Sequence, residues 1–126
     1  MGALDYLVTG AKGQLGRVLL AQAQQRGRSA LGVDLDEMPL ESRAAIQRVV
    51  GERRPRCVLH CGAITNVDGC EAEPLLSCRV NGMATAWIAE AAASVSTAMA
   101  YVSTDFVFDG SLHGTPYPVD TAAKPL

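Results

Sequence analysis

No stretch of this sequence is apolar over the ~20 residues that a membrane-spanning helix needs. Its start, Met1-Gly2-Ala3-Leu4-Asp5, lacks the charged and apolar regions of a signal peptide. A cytoplasmic protein without a membrane partner is the expectation. No sign of charge dominates: 11 basic against 13 acidic residues leave a net charge of -2, which gives no electrostatic footprint for nucleic acid. The four cysteines, Cys57, Cys61, Cys70 and Cys78, form no C-x-x-C pair, and His60 and His113 do not complete a zinc-ligand pattern. No metal is expected, and the thiols read as reduced and structural. There is no internal repeat, low-complexity segment or linker, so the 126 residues are one domain or part of one.

What is present is a chain 48% hydrophobic and 19% charged, the profile of a globular domain. Tyr6-Leu7-Val8 is short, apolar and β-favouring, and ends at Thr9-Gly10, as a buried parallel strand entering a tight turn does. Leu15, Val18, Leu19 and Ala23 recur at helical spacing, with Gly27 as the C-terminal stop. A second strand is expected over residues 29–33, ending at Asp34, and a loop over 36–41. Ser42 can cap a helix carrying Ala45, Ile46, Val49 and Val50 on one face and ending before Pro55. Residues 57–61 read as a central strand closed by Gly62-Ala63. Pro74 suits the first turn of a helix to about Ala93, with Leu75, Val80, Ala84, Ile88 and Ala91 or Ala92 as its buried stripe. Residues 98–102 form a further strand that delivers Ser103-Thr104-Asp105 to its C-terminal end, and Pro116, Pro118 and Pro125 leave the tail irregular. Alternation of this kind predicts an α/β fold, a Rossmann-like doubly wound parallel sheet, with ligands gathered at the strand C-termini.

The chemistry concentrates at Gly10-Ala11-Lys12-Gly13-Gln14-Leu15-Gly16, where glycines spaced G-x-x-G-x-x-G let backbone N–H groups approach phosphate at a helix start. The spacing departs by one residue from the commoner G-x-G-x-x-G, and its context, after an apolar strand and before an amphipathic helix, is what raises it. The alternative is a capping loop that needs glycine for packing alone. Lys12 and Arg17 could meet a phosphate or simply be solvated. Asp34, with Leu35 beside it, stands where an acid accepts hydrogen bonds from the adenosine ribose, which favours NAD over NADP; the same acids also fit an ordinary turn. Ser103, Thr104 and Asp105 could hydrogen-bond a substrate carbonyl as it accepts hydride, or bind local backbone in a turn.

Several ordered motifs together resemble the extended short-chain dehydrogenases/reductases, in the branch of dTDP-4-dehydrorhamnose reductase. The likeness rests on residues 8–16, on Arg54-Pro55 before His60-Cys61-Gly62-Ala63, and on Thr65-Asn66-Val67-Asp68 with Glu71, Glu73 and Pro74. It continues with Val80-Asn81, with residues 103–110, the most specific match, and with Pro116-Tyr117 and Lys124-Pro125-Leu126. The resemblance implies a reductase that passes hydride from NADPH or NADH to the keto group of a nucleotide-linked deoxysugar, in dTDP-L-rhamnose formation. It further implies that Gly10, Gly13, Gln14, Leu15 and Gly16 line the pyrophosphate and that Ala63 and Thr65 sit against the cofactor. Thr104 would polarise the carbonyl, Asn81 would organise the centre, and Asp105 and Val107 would lie near the substrate.

Two departures from that pattern matter. The family places a Tyr-x-x-x-Lys pair beyond the segment where this chain stops, and none of Tyr6, Tyr101 and Tyr117 has a lysine four residues later. The region between Gly27 and Ser42 has room for one short strand where the family fits two. Residues 1–126 are therefore expected to be the N-terminal part of an NAD(P)-binding domain whose substrate domain lies elsewhere, and alone to be inactive, poorly stable or self-associating. Expected partners are a dinucleotide and a nucleotide-sugar, with a homodimer or a partner enzyme at the protein level. The alternatives are a non-catalytic regulatory protein similar to the subunit of methionine adenosyltransferase, and a sugar-nucleotide epimerase or dehydratase.

Overall fold

The computed structural model describes residues 4–125. Its element order is β1 (Tyr6–Thr9), α1 (Gln14–Gln25), β2 (Ala30–Val33), α2 (Arg43–Arg53), β3 (Cys57–His60), α3 (Val67–Ala72), α4 (Pro74–Ser77), a π-helical stretch (Cys78–Met83), α5 (Ala84–Ser94), β4 (Ala98–Tyr101) and a 3-10 turn (Asp105–Val107). The four strands form one parallel sheet in the order β2-β1-β3-β4. The chain moves outward from β1 to β2, then crosses β1 to reach β3. Right-handed crossovers consequently put α1 on one face and α2 and α5 on the other. The reversal lies between β1 and β3, the switch point at which open α/β sheets take ligands.

The larger core lies under α2 and α5. Leu7 and Val58 from the sheet meet Ile46, Val49 and Val50 of α2 and Ala84, Ile88, Ala91 and Ala92 of α5, all buried. Alanines on α5 let its backbone lie close to both the sheet and α2, and each fully buried Ile or Leu contributes about 1.5–3 kcal/mol. Ser42 caps α2 as expected, its Oγ accepting from the Ala45 amide at 3.2 Å. Met38 and Leu40, in the segment read as simple loop, are 1% and 7% exposed and belong to this core.

Two expected buried stripes need correction. On α1, Ala23 is buried and Leu19 half-buried as expected, but Leu15 and Val18 are 42% and 56% exposed and Gly16 is buried in their place. The rotation follows from Gly16, which abuts the Gly10 carbonyl and turns that side of the helix inward. Leu75 is 86% exposed although Val80, Ala84, Ile88 and Ala91 are buried as expected. The segment between Leu75 and Val80 leaves α spacing for π-type turns, so the two residues do not share a face. The short helix α3, capped by Asn66 accepting from the Gly69 amide at 3.2 Å, was not anticipated from periodicity. Strands β2, β3 and β4 are each one residue shorter than expected, beginning at Ala30 and ending at His60 and Tyr101.

Candidate functional site

The C-terminal ends of all four strands lie along one edge, and each delivers part of the candidate site. At the end of β1, Gly10 has φ +64°, and a Cβ there would stand 2.8 Å from both Cα and N of Gly62. A Cβ on Gly16 would be driven into the Gly10 carbonyl oxygen. Both positions thus need the missing side chain, one for its conformation and for β3, the other for the turn itself. Within the turn the Ala11 amide donates to the Val33 carbonyl at 3.2 Å, the Lys12 amide to Asp34 Oδ2 at 2.9 Å and the Gly13 amide to the Gly10 carbonyl at 3.0 Å. Helix α1 then begins with Gly13 at its cap, which offers no side-chain acceptor. Among the described residues, no acceptor meets the amides of Gln14, Leu15 or Gly16. Three N–H groups therefore point out of the positive end of a twelve-residue helix, an arrangement suited to an anion.

At the end of β2, Asp34 is tied to the turn rather than free in solvent. Its Oδ2 accepts from Lys12 and its Oδ1 from the Leu35 amide at 3.0 Å, and its own amide donates to Glu37 Oε2 at 3.0 Å. Leu35 is 67% exposed. The Lys12 ammonium is 2.9 Å from Asp36 Oδ2. That hydrogen-bonded pairing lowers the Asp36 carboxyl below its usual range and raises the Lys12 ammonium. Both groups are exposed, so the pair is a weak clasp.

After β3 the chain passes through Cys61–Thr65. The Thr9 hydroxyl oxygen accepts from the amides of Cys61 at 3.2 Å and Gly62 at 3.1 Å. Asn81, in the π-helical stretch, binds Ile64 twice: Oδ1 accepts from the Ile64 amide at 2.8 Å and Nδ2 donates to the Ile64 carbonyl at 2.9 Å. The segment is therefore pinned on either side of Ala63, and Ala63 and Thr65 are exposed. Thr9 was missed in the sequence, where a threonine ending a strand carries no signal of a hydrogen bond 52 residues away.

Beyond β4 the Val102 amide donates to the His60 carbonyl at 3.3 Å, which carries Ser103 alongside the β3 exit. Ser103, Thr104 and Asp105 are exposed. The Thr104 hydroxyl caps the 3-10 turn, accepting from the Phe106 amide at 3.2 Å, and lies 3.4 Å from Asp105 Oδ1. The local turn role is thus real for Thr104, and the hydroxyl's own proton has only a long contact to give up. Val107 is half-buried and its carbonyl accepts from the Lys124 amide at 2.7 Å. Asp109 gathers the tail: it accepts from the Ser111 amide at 3.0 Å, from Tyr117 Oη at 3.2 Å and from Lys124 Nζ at 3.0 Å. These bonds, those from Ser111 first, hold its carboxyl well below the usual range.

The sequence of residues 4–126 matches the family described as RmlD substrate binding domain. The chain is 38% identical over 120 residues to dTDP-4-dehydrorhamnose reductase of Streptomyces griseus, covering 95% of this chain and 39% of that protein. It is 32% identical over 127 residues to methionine adenosyltransferase 2 subunit beta of Xenopus laevis, covering 95% of this chain and 37% of that protein. The crystal structure of dTDP-4-dehydrorhamnose reductase from Bacillus anthracis in complex with NADP superposes with a TM-score of 0.82 at 31% identity, over 89% of this chain and 40% of that one. The chain thus spans about two-fifths of the length of these relatives. A match running from Leu4 through the glycine turn and the Ser103-Thr104-Asp105 exit to the last residue leaves no element outside it: this chain belongs to the RmlD substrate binding domain family.

Proposed function

We propose that residues 1–126 are the N-terminal part of the dinucleotide-binding domain of an NAD(P)H-dependent reductase, acting on the keto group of a nucleotide-linked 4-keto-deoxysugar as in dTDP-L-rhamnose formation. The observation that carries this reading is the set of three unpaired amides, Gln14, Leu15 and Gly16, at the helix start that follows β1, beside the switch point between β1 and β3. A side chain at Gly10 or Gly16 would collide with backbone and displace the turn that presents these amides, and a helix start with three unpaired N–H groups fits a diphosphate.

Bound there, a reduced nicotinamide supplies hydride to a carbonyl carbon. The amides of residues 14–16 grip the diphosphate, with Gly10 and Gly13 leaving the approach open. Asp34, fixed by the Lys12 amide, accepts from the ribose hydroxyls, with Leu35 beside it. Ala63 and Thr65 border the cofactor on the segment that Asn81 holds. Thr104 turns its proton from the long contact with Asp105 to the substrate oxygen, where it opposes the charge that develops. Ser103, Asp105 and Val107 line the substrate side. No tyrosine here has a lysine four residues on, so the proton donor comes from outside residues 1–126. Without it the chain forgoes general-acid assistance of about 10²–10⁴ in rate and is inactive alone.

Isothermal titration of the folded chain with NADPH and NADH tests the reading. Saturable binding of either supports it, and no binding by a folded sample removes it. Extending the chain with its downstream sequence is expected to give reductase turnover. A second reading, a non-catalytic regulatory subunit, is favoured by the turn-capping state of the Thr104 hydroxyl. Co-purification of the extended protein with a methionine adenosyltransferase, without sugar turnover, would select it.

A further inference from the structure

His60 ends β3 and is 1% exposed, and the function proposed above makes no use of it. Its ring is nevertheless held on three sides. Nδ1 lies 2.7 Å from Thr9 Oγ1, Nε2 lies 3.2 Å from Thr85 Oγ1, and the ring stacks on Tyr101 with centroids 5.4 Å apart and planes at 24°.

The direction of every proton in this chain follows from the partners. Thr9 Oγ1 already accepts two N–H groups, from Cys61 and Gly62, which fill its acceptor sites. Its hydroxyl proton is therefore committed to His60 Nδ1, which must be the unprotonated nitrogen. The ring proton then sits on Nε2 and is donated to Thr85 Oγ1, and the Thr85 hydroxyl donates in turn to the Asn81 carbonyl at 3.3 Å. Asn81 is the residue that binds both backbone groups of Ile64. One polar path thus runs from the Gly62 amide through Thr9, His60, Thr85 and Asn81 back to Ile64, two residues further along the same segment.

We propose that His60 is a positioning residue: as a neutral, Nε2-protonated imidazole it joins the Thr9 and Asn81 anchors, fixing Cys61–Thr65 against the glycine turn. Burial pushes its pKa down to about 4, which keeps the ring in the neutral form that the path requires. The consequence for cofactor affinity rests on the proposed dinucleotide site; the consequence for the segment does not.

The test has two parts on the intact chain. Nitrogen-15 NMR of the histidine rings at pH 7 is expected to show His60 with a protonated Nε2 and a bare Nδ1, distinct from exposed His113. A protonated Nδ1, or averaged tautomers, overturns the proposal without any variant. The second part uses Thr85→Val, which breaks the path one bond beyond His60 and leaves Thr9 untouched. Amide exchange at Cys61 and Gly62 is expected to quicken about tenfold, and Thr85→Ser is expected to restore it. A folded Thr85→Val with unchanged exchange there shows a side chain that merely packs, and overturns the idea. If wild-type chain binds neither NADPH nor NADH, the dinucleotide reading fails, and the tautomer and exchange results still decide the role of His60. If it binds, Thr85→Val is expected to weaken binding about tenfold, and equal affinity with quickened exchange confines the path to holding the segment, overturning its link to the cofactor.

Discussion

Replacing Gly10 by alanine combines two penalties that replacing Gly27 separates. Both glycines have φ +64°, so alanine at either pays the left-handed cost of about 1–2 kcal/mol. At Gly27 nothing lies within 4 Å of the added Cβ, and that cost is the whole effect. At Gly10 the Cβ meets Cα and N of Gly62 at 2.8 Å, and backbone atoms cannot rotate away as a flexible side chain could. The ends of β1 and β3 must part, adding about 1–3 kcal/mol of overpacking. Thermal unfolding of the two variants side by side, at about 4 °C per kcal/mol, is expected to lower Tm by about 4–8 °C for Gly27→Ala. For Gly10→Ala the expected loss is about twice that. Titration with NADPH is expected to show at least about tenfold weaker binding for Gly10→Ala and unchanged binding for Gly27→Ala, because only the first displaces the turn. Equal Tm losses together with unchanged affinity in Gly10→Ala would refute the close-approach argument.

Acid should act through His60. Its pKa is about 4 in the folded protein against an ordinary 6.5, so the unfolded state takes up the proton first. The stabilisation by the neutral ring is complete above pH 6.5, falls through the window down to 4 and is lost below it, about 3 kcal/mol in all. Urea midpoints should fall more steeply between pH 7.5 and 4.5 in wild type than in His60→Gln, and parallel curves would contradict the linkage. Ser42→Ala removes the acceptor of the Ala45 amide and is expected to cost about 1 kcal/mol in urea unfolding, with Ser42→Asp close to wild type. Asp34→Ala is expected to weaken NADH about tenfold with little loss for NADPH, since only the former needs an acceptor for a free 2′-hydroxyl; equal losses by titration would argue that Asp34 acts on the turn alone. Asp109→Ala removes the acceptor shared by Ser111, Tyr117 and Lys124, and limited proteolysis should cut residues 110–124 faster while sparing α2 and α5.

The alternation of elements was readable because each carries its own local signal. Ser42 and Gly27 mark helix ends, alanines mark the packed face of α5, and apolar runs mark β1 and β3. What periodicity could not supply was phase where a distant contact sets it. Leu15 and Val18 have the spacing of a buried stripe, yet the Gly16–Gly10 contact turns them outward. Met38 and Leu40 sit in a loop with no period, and are buried because α2 and the β3 exit close over that loop rather than because of any repeat.

The same division runs through the site. The glycine turn is local, and its spacing predicts open backbone amides at a helix start, where those of Gln14, Leu15 and Gly16 meet no acceptor among the described residues. The anchors that hold the neighbouring segment are not local: Thr9 and His60 are 51 residues apart, and His60 and Thr85 are 25 apart. His60, which completes no metal-ligand pattern in the sequence, lies at the junction of three elements, meeting Thr9 of β1, Thr85 of α5 and Tyr101 of β4. Because β1 and β3 pair along their full length, with the crossovers diverging between them, the Thr9 hydroxyl and the Gly10 backbone both meet the start of the same segment, Cys61-Gly62. The topology that opens a ligand crevice at the switch point thereby also brings together the groups that shape it.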